Sequence, residues 1–135
     1  MAYENDLQRS EATVAIILGF LLGRGIQSGG LFFKELQADE GLRPFFAPCM
    51  RWLRGEGLVR YRDEKEYGGE VGIAFFDPCL TSRGFAVMGE RLRLGDRDIS
   101  VGQAVKEVSE DGVSFSRVGD FFGGVLGGFT KSMGS

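Results

Sequence analysis

Residues 53–85 read LRGEGLVRYRDEKEYGGEVGIAFFDPCLTSRGF, and the rest of the fold is read outward from them. Leu58 to Arg62 alternates in part between apolar and charged residues, the two-residue period of a strand. The polar run Asp63 to Gly69 reads as a hairpin loop, with Gly68-Gly69 as its turn. Glu70 to Phe76 returns as the second strand. Asp77-Pro78 ends it, because proline has no N–H to give to a ladder. Thr81 is a good N-cap for a helix that turns Phe85, Met88 and Leu92 inward.

Upstream, three helical pieces are expected. Ser10 is an N-cap type and Glu11 suits a first turn. Val14, Ile17, Leu18, Leu21 and Leu22 then recur at helical spacing, and Gly23-Arg24-Gly25 stops the pattern. Ser28-Gly29-Gly30 starts a second short helix, with Leu31, Phe32, Phe33 and Leu36 on its apolar side and Gly41 at its end. Pro44 fits the first position of a third helix. Pro48 lacks an N–H and clashes with the preceding turn, so a turn at 44–47 and a helix over 48–55 are predicted. Cys49, Met50 and Leu53 face inward there, and Arg51 and Arg54 outward.

The order is helix, helix, helix, strand, strand, helix. Leu53, Gly57-Leu58-Val59, a charged hairpin and Leu80-Thr81-x-x-Gly84-Phe85 together resemble the winged helix-turn-helix family over about residues 11–90. In that family a recognition helix runs into GLV, a two-stranded wing follows, and LTxxG starts the closing helix. The resemblance implies an α+β fold, mostly α with a small antiparallel β-hairpin. It places a winged-helix-like core over 11–94 and a C-terminal helical extension over 95–135. It also implies double-stranded DNA as partner and a role as a transcriptional regulator. Two features depart from the family pattern. Pro44 and Pro48 shorten the recognition helix, and the wing is acidic where DNA-binding wings are often basic.

Charge is uneven along a chain whose net charge is −3. Arg43, Arg51, Arg54, Arg60 and Arg62 face only Glu56 in their stretch, a local +4. Asp63, Glu64, Glu66 and Glu70 follow against Lys65, a local −3. Arginine forms bidentate bonds to guanine or phosphate. Arg43, Arg51 and Arg54 are therefore candidates for phosphates or base edges, and Arg60 and Arg62 for phosphate at the wing base. The same residues can instead pair on the surface with Glu56, Glu64 and Glu66. A protein partner is the alternative to DNA, because Phe45, Phe46 and Trp52 flank the recognition helix and aromatics with Arg mark interface centres. The Phe pair can equally be core.

Enzyme chemistry lacks material. With no His in 135 residues there is no Ser-His-Asp or Cys-His catalysis and no His-ligated metal. Cys49 and Cys79 form no CxxC, and they read as buried, reduced thiols of a cytoplasmic protein. The pairs Asp39/Glu40, Glu64/Glu66 and Asp96/Asp98 fall in expected loops or termini. A binding protein with no catalytic residues, no metal and no cofactor is the expectation. The apolar run Ala12 to Leu22 is too short to span a bilayer, and the start lacks a basic signal-peptide region.

Glycine, 22 of 135 residues, is about twice its usual share of roughly 7%. After a turn at 95–98, a helix over about 100–110 is expected. Ser100 caps it, and Val101, Ala104, Val105 and Val108 lie against the main body. Over 117–133, Val118, Phe121, Phe122, Val125, Leu126, Phe129 and Met133 form one helical face. Gly119, Gly123, Gly124, Gly127 and Gly128 form the other, resembling a glycine zipper. Five interior glycines cost a helix about 4–5 kcal/mol relative to alanine, so it needs a surface to pack on. The chain's own domain, a second copy or partner, and a membrane surface compete for that role. Asp120 and the lack of flanking Lys/Arg clusters weigh against the membrane. Gly119, Phe122, Gly123, Leu126, Gly127 and Phe129 are the candidate residues for a homo-oligomer.

Overall fold

A computed structural model describes residues 5–94 and 96–111 of the chain. They form an α+β fold with four α-helices and small antiparallel sheets. Helix α1 spans Asp6–Arg24 and α2 spans Arg43–Gly55. Helix α3 spans Ser82–Gly89 and α4 spans Val101–Asp111.

Helix α1 starts earlier than Ser10. Asn5 is its cap, accepting from the Gln8 N–H at 2.9 Å, and the Ser10 hydroxyl donates to the Asp6 carbonyl. Its apolar stripe, from Ala12 to Leu21, is buried against α2 and α4. Gly25 at φ 74° closes the helix, as its sequence suggested.

The second helix expected after Gly30 is instead strand β1, Gly30–Phe32, followed by two 3₁₀ turns over Phe33–Leu36 and Glu40–Leu42. The reason lies in a distant segment. Strand β1 pairs antiparallel with β4, Ile73–Phe76, and β4 pairs with β3, Asp63–Glu66. Gly29 and Asp77 lock the corner. The Asp77 N–H donates to Gly29 O at 2.8 Å, and the Gly29 N–H donates to Asp77 Oδ1 at 2.9 Å. Gly30 carries no side chain because the Phe76 ring lies over it, 3.2 Å from where a Cβ would sit.

The hairpin is longer and more broken than its alternation indicated. Strands β2 (Val59–Arg60) and β5 (Cys79–Leu80) pair at its base. The charged run 63–66, expected in the loop, is a strand because β4 supplies its ladder partners. The break falls where Tyr61-Arg62 passes Asp77-Pro78. Asp77 has φ 57°, and Pro78 cannot donate.

Helix α2 runs unbroken through Pro48, contrary to the predicted turn at 44–47. Pro48 removes one i→i−4 bond, the one Pro44's carbonyl would accept. Both prolines are exposed, so water can serve that carbonyl. Burial of Phe46, Cys49, Met50 and Leu53 on the opposite side holds the helix together.

Thr81 caps α3 as expected. Its hydroxyl accepts from the Gly84 N–H at 2.9 Å and donates to Gly57 O at 2.6 Å. A Cβ on Gly84 would collide with the Leu58 carbonyl, which gives the LTxxG spacing a packing reason. Met88 is buried, but Phe85 is partly exposed rather than inside, and Leu92 lies on a strand. Strands β6 (Arg91–Leu94) and β7 (Arg97–Ser100) form a second hairpin where a simple turn was expected. Helix α4 follows, capped by the Ser100 hydroxyl on the Gln103 N–H. Val101, Ala104 and Val105 join the same core as α1 and α2.

Candidate functional site

The outward face of α2 and the hairpin beside it gather most of the residues singled out in the sequence. Exposed Pro44, Pro48, Arg51, Trp52 and Gly55, with half-buried Ala47, recur every three or four residues. They form one stripe down the helix. Trp52 is 46% exposed. Phe46 lies at the opposite pole, buried between Phe33 at 5.9 Å and Phe75 at 5.4 Å, while Phe45 is half-buried against the core. Of the three aromatics, Trp52 alone is open to a partner.

The hairpin runs alongside α2. At one end Arg51 donates to Glu64 Oε1 from Nη2 at 2.7 Å and Nε at 3.1 Å. The other Glu64 oxygen accepts from the Tyr61 hydroxyl at 3.2 Å. These bonds push the Arg51 pKa up and hold the Glu64 carboxyl below its ordinary value. At the other end Arg43 is gripped by both oxygens of Glu40, at 2.9 and 3.0 Å, and reaches the Glu70 carbonyl at 3.2 Å. Its guanidinium also lies 4.8 Å from the Phe33 ring centre. The Arg43 pKa is raised and the Glu40 pKa lowered, chiefly by that bidentate pair. Arg54 lies 4.6 Å over the Tyr61 ring.

Arg60 and Arg62 belong to a different part of the surface. Arg62 pairs with Asp77 Oδ2 at 3.0 Å and sits 6.0 Å from the Phe76 ring centre. Asp77 is held below its usual pKa, first by the Gly29 N–H and then by Arg62. Arg60 borders a shallow cavity of about 470 Å³ with Asp77, Cys79, Thr81 and Ser82. The five arginines thus divide into an α2 group and a group beside Asp77.

Glu64, already a candidate surface partner of these arginines in the sequence, pairs with Arg51. Two residues of the site were not singled out there as partners, Tyr61 and Asp77, and each organises an arginine. Pro44, Ala47 and Pro48 were legible as neighbours of Trp52 at helical spacing, had the helix been read through Pro48. Gly119, Phe122, Gly123, Leu126, Gly127 and Phe129 lie outside the described residues.

Cys49 and Cys79 are buried and unpaired with each other. Burial pushes the Cys49 thiol up to about 11, and its sulfur lies 3.6 Å from Ser10 O. Among the described residues no group of His, Cys, Asp or Glu side chains is placed to hold a metal ion. No described helix is long and apolar enough to cross a membrane. Comparison with protein-family models, curated proteins and solved structures finds no match to this chain.

Proposed function

We propose that this chain is a non-enzymatic, winged-helix-like binding module that docks a protein partner on the exposed face of α2. The observation that carries this reading is the composition of that face. Pro44, Ala47, Pro48, Trp52 and Gly55 lie with two arginines, Arg51 already engaged by Glu64 and Arg54 laid over the Tyr61 ring. A helix that reads base edges needs outward donors and acceptors. An exposed Trp among small apolar residues beside Arg is instead the composition of a protein interface centre. The winged-helix reading draws support from β1, which returns from between α1 and α2 to join the hairpin as a third strand. It draws further support from α3, which follows the hairpin directly.

Duplex DNA is the second reading, and one observation favours it. Arg51 and Arg62 remain 52% and 66% exposed in their ion pairs. Such pairs are worth about 0–1 kcal/mol, weak enough for phosphate to displace. Anisotropy of a labelled duplex at about 50 mM salt decides between the two. No saturable binding is expected. Binding that weakens steeply with salt and is lost in Arg51→Ala would overturn the protein reading in favour of a DNA-binding regulator.

We also propose, from sequence alone, a homo-oligomer assembled through 117–133. Light scattering should give a lower mass for a chain lacking 117–135, and an unchanged oligomeric mass refutes this role. Two buried, unpaired thiols fit a reducing compartment such as the cytoplasm.

A further inference from the structure

Charge around the α2 stripe narrows the kind of partner it suits. The charged groups on α2, its lead-in turn and the adjoining strand and loop are Arg43, Arg51, Arg54 and Lys65 against Asp39, Glu40, Asp63, Glu64, Glu66 and Glu70, an acidic excess even with Lys65 laid 5.2 Å from the Tyr67 ring centre. Two of the arginines are consumed locally, Arg43 by Glu40 and Arg51 by Glu64. The third, Arg54, lies over the Tyr61 ring. Glu66 and Glu70 are left as exposed carboxylates along the stripe. Glu66 accepts only a short-range bond from the Gly68 N–H among the contacts seen. Glu66 lies two residues along β3 from Glu64, which holds Arg51, and Arg43 donates to the Glu70 carbonyl at 3.2 Å, so both carboxylates belong to the segment beside α2. Tyr67 and Val71, about half exposed, extend the apolar surface between them.

We infer that the partner presents a basic peptide segment, with lysine or arginine set against Glu66 and Glu70 and an aliphatic or aromatic side chain set on Pro48 and Trp52. This rests on the docking reading of α2 and adds the partner's charge. Opposite charges flanking an apolar anchor raise the encounter rate and fix register, and they repel polyanions such as DNA or anionic lipid. Trp52 is the sole tryptophan of the chain, so its emission reports occupancy of the stripe without interference.

The test is selection of random displayed peptides on the full chain, with counter-selection on Trp52→Ala. Selected peptides are then titrated by Trp52 emission. Binders enriched in Lys or Arg are expected, with affinity falling as salt rises. The double variant Glu66→Gln/Glu70→Gln should weaken them about tenfold, two- to fivefold for each carboxylate removed. Trp52-dependent binders that are neutral or acidic, or that ignore the double variant, overturn the basic partner while leaving the docking face standing. An absence of Trp52-dependent binders overturns the docking face itself, and the inference with it.

Discussion

Helix α2 meets the molecule on two sides, and the two contacts are of different kinds. Toward the core it presents Phe46, Cys49, Met50 and Leu53, all buried, with Phe46 packed on Phe33 and Phe75. Toward the hairpin it presents Arg43, Arg51 and Arg54, held by exposed carboxylates and ring faces. Apolar burial contributes roughly 1.5–3 kcal/mol per large side chain, whereas an exposed ion pair contributes about 0–1 kcal/mol. The buried side therefore fixes where the helix sits. The hairpin side sets which charges it shows, and its pairs can exchange partners on binding at little cost to the fold.

The contrast can be broken most forcefully from the core. Phe46→Ala removes the ring packed between Phe33 and Phe75 and should destabilise the fold by about 3–5 kcal/mol in urea denaturation. A loss near that of a surface substitution would mean α2 is not anchored by burial. Next comes Gly84→Ala, whose Cβ would strike the Leu58 carbonyl where α3 crosses the hairpin base. A loss of about 1–3 kcal/mol is expected, read in the same assay.

On the hairpin side, Glu64→Gln keeps the shape and removes the charge facing Arg51. The loss should stay below about 1 kcal/mol, while Trp52 emission is unchanged. A larger loss would show that the ion pair, and not the core, positions the hairpin.

The smallest effect is expected on acidification. Arg97 and Gln103 hold the Glu107 carboxyl down to about 2, below its ordinary value near 4.3. A carboxylate lowered on folding adds stability above its unfolded value, and this is lost as pH falls from about 4.5 toward 2. Glu40, Glu64 and Asp77 shift in the same direction. Thermal unfolding should therefore soften over that window, and less so in Glu107→Gln. A variant that loses as much as the parent would discount the Arg97 pair.

Local signals were read correctly where neighbours in sequence supply the physics. Gly25 stops α1, Thr81 caps α3 and Ser100 caps α4, because each bond closes within a few residues. The buried stripes of α1 and α4 followed from spacing alone. Reading failed where the partner is distant. Leu31-Phe32-Phe33 suits a helix or a strand equally, and β4, more than forty residues away, made it a strand. Asp63 to Glu66 is a different case: its β4 partner is near in sequence, but the run has no apolar alternation to mark it as a strand.

The candidate site divides along the same line. The sequence alone determined that the chain has no histidine chemistry, that five arginines precede an acidic run, and that a Trp lies among them. Only the tertiary structure decided that Phe46 is core and Trp52 is surface, since a helix expected to begin at 48 left Phe46 in a turn with no helical face of its own. It also decided that Glu64, Glu40 and Asp77 occupy the arginines. Ion pairing depends on side chains meeting within about 4 Å, and chain separation does not report that distance.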